Sequence, residues 1–208
     1  MTCPQIVWEF GGDHKKDRAL LPAMRIVGGS HGGRVLRAPA GPATRPTSEK
    51  VREAVFNILG RLLGSLESIH VLDVFAGSGG LGIEALSRGA AHVTFVDAAK
   101  PALAAVKGNL RELGLEAQAL VVSGDAVAQA ARLVPAAPWM LVFVDPPYRS
   151  DLATRAVLAI PRAHLAPGAV VVIEHDRHHT PPDPLGFLVR TDERRYGDTM
   201  VSFFEVPA

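Results

Sequence analysis

From Ile69 onward, short apolar runs alternate with stretches whose apolar residues recur at helical spacing. The strand candidates are Ile69–Phe75, His92–Asp97, Ala119–Ser123, Met140–Asp145 and Ala169–Glu174. Between them, Leu81–Ser87, Pro101–Leu113, Ala126–Leu133 and Leu152–Ile160 read as helices. This alternation predicts a parallel sheet with crossover helices on both faces. Two final apolar runs, Phe187–Arg190 and Met200–Val206, flank a turn at Tyr196-Gly197-Asp198 and predict an antiparallel edge hairpin.

The pattern ahead of Ile69 is different. Val51, Ala54, Val55, Ile58, Leu59, Leu62 and Leu63 form one apolar helical face, which Gly64 ends. Pro46 marks the entry, Thr47 can cap the helix, and Glu49 sits favourably in its first turn. Before it, residues 24–47 are Gly- and Pro-rich and basic. Their apolar pairs Ile26–Val27 and Val35–Leu36 suggest a small hairpin. Residues 1–23 show no sustained periodicity and read as a flexible tail, with the folded protein expected to begin at Met24. The chain thus divides into a tail (1–23), a small basic β/helix element (24–64) and an α/β domain (65–208).

Composition narrows the class without naming it. A 48% hydrophobic, 21% charged chain of 208 residues is globular. No apolar run reaches the roughly 18 residues of a membrane span, and the N-terminus lacks a basic-then-apolar signal. Cys3 is the only cysteine, which excludes an intramolecular disulfide and fits the reducing cytoplasm. The net charge of +1 announces no polyanionic partner, so any such partner depends on where the cations sit.

Candidate chemistry starts at residues 73–82, Asp-Val-Phe-Ala-Gly-Ser-Gly-Gly-Leu-Gly. Gly77, Gly79 and Gly82 satisfy G-x-G-x-x-G between a strand and a helix, where the backbone must turn tightly and approach a ligand. Dinucleotide sites share this loop, and Asp97 at the next strand end suits ribose hydroxyls in either case. Asp73 tilts the reading: a carboxylate there repels a pyrophosphate but favours the sulfonium and ammonium of S-adenosyl-L-methionine. Phe75, Gly77, Ser78 and Gly79 then form the cofactor loop. Asp125, beside Ala126, is placed to accept from an adenine amino group, although a plain helix cap also explains it.

Asp145-Pro146-Pro147-Tyr148 ends the fourth strand of the alternation, in the crevice where open α/β sheets bind ligands. Two prolines stiffen the loop and remove two N–H donors, leaving the Asp145 carboxylate and the Pro146 carbonyl as acceptors. An exocyclic amino group on a base is a poor nucleophile because its lone pair is delocalised. Two acceptors on its N–H bonds orient that lone pair, and Asp145 can help remove the proton. Tyr148 offers a ring for the base to stack on.

In this order, the glycine loop, Asp97 and Asp145-Pro-Pro-Tyr148 resemble the Rossmann-like class I amino-methyltransferases. Arg25-Ile-Val-Gly-Gly-Ser-His-Gly-Gly-Arg34, Thr44–Glu53 and Tyr196-Gly197-Asp198-Thr199 narrow the resemblance to bacterial 16S rRNA guanine-N2 methyltransferases of the RsmD type. The likeness runs from Met24 to the C-terminus. It implies a mostly parallel seven-stranded sheet with an antiparallel C-terminal hairpin and S-adenosyl-L-methionine as cofactor. It further implies 16S rRNA, within the small ribosomal subunit or an assembly intermediate, as partner to a monomer. Asp97 stands where many relatives carry glutamate. His175, His178 and His179 lie outside the family pattern; their spacing suits no metal, and they read as solvated loop residues.

The cations gather in the basic element: Arg25, Arg34, Arg37, Arg45, Lys50, Arg52 and Arg61, opposed only by Glu49 and Glu53. The first six are the expected phosphate contacts. A DNA adenine-N6 or cytosine-N4 methyltransferase shares the catalytic motif, but the short chain carries no sizeable target-recognition domain. A nicotinamide dehydrogenase gives no reason for Asp145-Pro-Pro-Tyr148. A non-catalytic ribosome-assembly factor gives none for an intact Asp145 and Tyr148.

Overall fold

The computed structural model describes residues 24–39, 49–146 and 151–207. Two short strands, β1 (Met24–Arg25) and β2 (Val35–Leu36), pair antiparallel and lead into α1 (Glu49–Leu62). There follow β3 (His70–Val74), α2 (Gly80–Ser87), β4 (His92–Asp97), α3 (Lys100–Leu113) and β5 (Ala119–Ser123). Then come α4 (Ala126–Arg132), β6 (Trp139–Val144), α5 (Leu152–Ala159), β7 (Leu165–Asp176), β8 (Val189–Tyr196) and β9 (Thr199–Glu205).

The large sheet has the order β5-β4-β3-β6-β7-β9-β8, parallel except for β9, which runs antiparallel to both of its neighbours. The chain moves outward from β3 through β4 to β5, then crosses back over β3 to lay down β6. That reversal opens a crevice beyond the carboxyl ends of β3, β4 and β6, the place where such sheets bind ligands.

Both faces of the sheet are covered, so the inner strands are largely apolar: Val71, Leu72, Val74, Val142 and Phe143 are all fully buried. One core lies under α1, α2 and α3, the other under α4 and α5. Ile26 and Leu36 of the N-terminal element join the first of these cores, together with Val55, Phe56, Ile58 and Leu59 of α1. The basic element is therefore seated on the sheet's own core.

The helix stripe read from the sequence needs adjustment. Phe56 packs inward with its ring 5.7 Å from that of Phe143, while Leu62 stays 38% exposed. Thr47 and Pro46 lie outside the described residues.

The strand ends differ more. β7 begins at Leu165, four residues before the predicted start, because Pro167 and Gly168 are absorbed by a register shift against β6. β8 runs to Tyr196 through the charged stretch Thr191–Arg195. As an edge strand it needs backbone pairing on one side only, and its charges face solvent. No helix among the described residues is long and apolar enough to cross a membrane.

Candidate active site

The crevice is organised by strand register. Val96 of β4 pairs with Val74 of β3, Val74 with Val144 of β6, and Val144 with Ile173 of β7. The next residue on each strand is Asp97, Phe75, Asp145 and Glu174. These four stand in one row along the carboxyl edge of the sheet. Ser123 pairs with Asp97, so Asp125 follows two residues beyond the same edge.

The glycine loop leaves β3 through a strained residue, because Phe75 has φ +66 without being glycine. Left-handed geometry of this kind costs about 1–3 kcal/mol and persists only where the surroundings enforce it. Here the Ala76 amide donates to Val96 O at 3.0 Å and the Gly79 amide to Ala76 O at 2.7 Å. Gly77 also has positive φ, and a Cβ built on it would meet nothing nearer than Phe75 O at 4.0 Å. That open space gives a ligand close access to the backbone.

Gly82 works differently. A Cβ there would lie 2.3 Å from Phe95 and 2.9 Å from Asp73 Oδ2. Its lack of a side chain allows α2 to press onto the sheet.

Asp73 sits beneath this junction, 2% exposed, with Oδ2 accepting from the Gly82 amide at 2.9 Å. Burial pushes its carboxyl up from the ordinary 3.8 to about 7; the Gly82 bond opposes the rise and nearby Asp97 adds to it. Its immediate work is to fasten α2 to β3 behind the loop.

Asp97 Oδ2 accepts from the Gly77 amide at 2.9 Å, and its Oδ1 accepts from the Ala99 amide at 2.8 Å. Each carboxylate oxygen keeps a lone pair for a ribose hydroxyl. Asp125 Oδ1 accepts from the Ala128 amide at 2.8 Å, capping α4. The helix-cap explanation therefore holds, and it leaves Oδ2 for a ligand. Ala126 is packed into the second core.

Around the loop stand acids and amides, with no cation bonded into it among the described residues. Such a donor set fits a hydroxyl-bearing, cationic ligand and disfavours a pyrophosphate.

Asp145 follows β6, with its amide 3.5 Å from Val74 O, and Pro146 follows it at the same edge. Asp145 and Glu174 line one small cavity with Val55, Leu81 and Val201. Glu174 was not singled out in the sequence. It ends an apolar run, and only the register shows that it stands beside Asp145. Pro147 and Tyr148 lie outside the described residues.

The basic element is bolted to this loop by buried polar groups. Glu84 of α2, fully buried, accepts from the Val27 amide at 2.7 Å and the Gly28 amide at 2.8 Å. It also pairs with Arg88 Nε at 2.9 Å and with Arg52 Nε at 3.5 Å. Asn109 of α3, 1% exposed, accepts from the Arg37 amide at 2.8 Å. It donates to Arg37 O at 3.1 Å and to Ser78 O at 3.0 Å. Asn109 thus ties the basic element to the glycine loop. Neither Glu84 nor Asn109 was visible as a site residue, since each is one polar position inside an ordinary helix.

Two sequence expectations are corrected. Arg52 is 1% exposed, paired with Glu84 and hydrogen-bonded to Arg25 O, so it is an interior clamp and no phosphate contact. His175 is not solvated: its side chain is 3% exposed, with Nδ1 donating to Asp176 O and Nε2 2.8 Å from Ser202 Oγ. His178 and His179 are exposed, and no group of three metal-ligating side chains occurs among the described residues.

Arg25, Arg34, Arg37 and Lys50 are exposed. Arg37 pairs with Glu112, whose backbone oxygen also receives Arg34, so α3 tempers the local excess of charge. Arg45 lies outside the described residues.

Comparison with known proteins agrees with this architecture. The family described as "Conserved hypothetical protein 95" matches residues 24–205. A Bacillus subtilis protein named "Putative rRNA methyltransferase YlbH" is 41% identical over 184 residues, covering 88% of this chain and 98% of its own. The Escherichia coli (strain K12) "Ribosomal RNA small subunit methyltransferase D" is 37% identical over 154 residues, covering 74% of this chain and 75% of its own. A solved structure, "Putative methyltransferase yhhF from Escherichia coli", superposes with TM-score 0.76 at 32% identity, covering 89% of this chain and 99% of that one. With its crevice, its glycine loop and these relatives, the chain belongs to the RsmD family of class I methyltransferases.

Proposed function

We propose that the protein transfers a methyl group from S-adenosyl-L-methionine to the exocyclic N2 amino group of a guanine in 16S rRNA of the small ribosomal subunit, in the cytoplasm. The observation that carries this reading is the row Asp97, Phe75, Asp145, Glu174, which sets the acceptor Asp145 directly beside the mouth of the glycine loop.

Gly77, Ser78 and Gly79 would hold the methionine half of the cofactor, Asp97 the ribose and Asp125 the adenine. Bound there, the cofactor would supply an electrophilic methyl group whose bond to positively charged sulfur breaks as the new N–C bond forms, the electron pair leaving with the neutral thioether. Everything else falls to the chain. The Asp145 carboxylate and the Pro146 carbonyl accept the two N–H bonds of the amino group, which lifts nitrogen electron density out of the ring and aims it. As the new N–C bond forms, the nitrogen becomes cationic, and Asp145 takes the proton on its way to solvent. Phosphates would be gripped by Arg25, Arg34, Arg37, Lys50 and Arg45, and Tyr148 would stack on the base.

Incubation with radiolabelled S-adenosyl-L-methionine and, separately, small subunits, free rRNA or duplex DNA tests the assignment. The label should appear as N2-methylguanosine in rRNA. Label in DNA, or as N6-methyladenosine, overturns it. Asp145→Ala should bind cofactor normally by calorimetry and lose methyl transfer; near-normal turnover removes Asp145 from its role.

A further inference from the structure

The guanine assignment above comes from family likeness, and it acquires a physical basis from Glu174. We propose that Glu174 is the residue that selects guanine, by accepting the ring N1–H while Asp145 and Pro146 hold the amino group. This rests on the proposed reaction and deepens it.

Glu174 follows Ile173, whose register partner is Val144, the residue before Asp145. Side chains alternate between sheet faces, so Asp145 and Glu174 leave neighbouring parallel strands on the same side. That side is the one occupied by Val172 and Val201, and both carboxylates line the same cavity. Neighbouring strands lie roughly 4.8 Å apart, so the two acids rise side by side and can reach different N–H groups of one base.

The edges of the three amino-bearing bases differ in one atom. Guanine presents N2–H, N2–H and the adjacent N1–H, three donors in succession. Adenine follows its amino group with N1, and cytosine with N3, both acceptors. The Pro146 carbonyl and the Asp145 carboxylate follow one another along the chain and Glu174 stands on the next strand, so this rim offers three acceptors. Guanine satisfies all three. Adenine or cytosine would set a ring lone pair against the Glu174 carboxylate. A site that hydrogen-bonds a substrate N–H rejects analogues lacking it far more strongly than a hydrophobic pocket rejects a missing methylene.

2-Aminopurine separates the two groups, because it keeps the 2-amino group and replaces N1–H by a bare acceptor. Once the methylated nucleotide has been mapped, small subunits can be reconstituted from rRNA carrying guanine or 2-aminopurine at that position. Wild-type protein should methylate 2-aminopurine about 100-fold more slowly or worse. In Glu174→Gln the side-chain amide can accept from guanine N1–H or donate to 2-aminopurine N1, so the ratio should fall to within about tenfold. A merely structural Glu174 would lower both rates together and leave the ratio unchanged. Equal rates on the two bases with wild-type protein overturn the proposal without any variant, and so does an unchanged ratio in Glu174→Gln. If wild-type protein methylates no guanine at all, the reaction assignment itself fails, which is a separate outcome.

Discussion

Asp73→Asn offers a test of the junction behind the glycine loop, because it removes a charge and keeps an acceptor. Asp73 is 2% exposed, and burial raises its carboxyl from 3.8 to about 7. The folded state therefore binds this proton more tightly than the unfolded state does. The stabilisation is fully present below about pH 4 and is lost as pH rises through about 7, since only the unfolded chain ionises freely in that window. At 1.36 kcal/mol for each pKa unit, the complete loss amounts to about 4 kcal/mol. Asparagine still accepts from the Gly82 amide but never ionises.

The stability difference between Asp73→Asn and wild type should therefore grow in favour of the variant by about 3 kcal/mol between about pH 5 and about pH 8. Urea unfolding at the two pH values measures it, because every other titrating group is common to both proteins and cancels. A difference that stays constant across this range refutes the buried, late-ionising carboxyl. A difference that shrinks reverses the sign of the whole argument.

Other substitutions probe the neighbouring contacts. Gly82→Ala forces a Cβ into Phe95 and Asp73, and should destabilise by at least about 2 kcal/mol in urea; a neutral result would mean that α2 can lift without cost. Arg52→Leu takes one of two arginines from the fully buried Glu84, which keeps Arg88 and two backbone amides, and should cost about 1.5–3 kcal/mol of stability while leaving the salt dependence of RNA binding unchanged. Arg34→Ala should do the opposite, reducing the slope of log K against log salt by about 1 with unfolding unaltered. Asn109→Asp sets a carboxylate oxygen against the Arg37 and Ser78 carbonyls, and should weaken S-adenosyl-L-methionine binding by about tenfold with kcat little changed. Unaltered cofactor affinity in that variant would show that the loop keeps its shape without the tie.

The parallel sheet was legible because its signals are periodic and locally consistent. The predicted strand His92–Asp97 coincides with the observed one because a two-sided core demands a continuous apolar run, and Ala119–Ser123 coincides too, although it is a half-exposed edge strand. Legibility failed where pairing overrides composition. β8 carries Thr-Asp-Glu-Arg-Arg and reads as a loop, yet β9 pairs with it from Val189 to Tyr196, interrupted only by a register shift at Thr191. Leu165–Gly168 reads as a break, yet a shifted register carries the strand through it.

The site divides along the same line. Gly77, Asp97 and Asp145 stand out in the sequence because each occupies a strand end or a loop where no core requirement explains it, and the strand register gathers them at one edge of the sheet. Arg52 was misread for the converse reason. Counting cations between Met24 and Leu63 treats every arginine as facing water, but the acid that buries this one, Glu84, lies 32 residues further on in a different helix. A buried arginine needs a buried carboxylate, and their meeting is a tertiary fact that no local window contains. Glu174 shows the same limit in a functional residue. It is one acidic position at the end of a strand until register places it next to Asp145, and base selection then becomes a question of which lone pairs can face it.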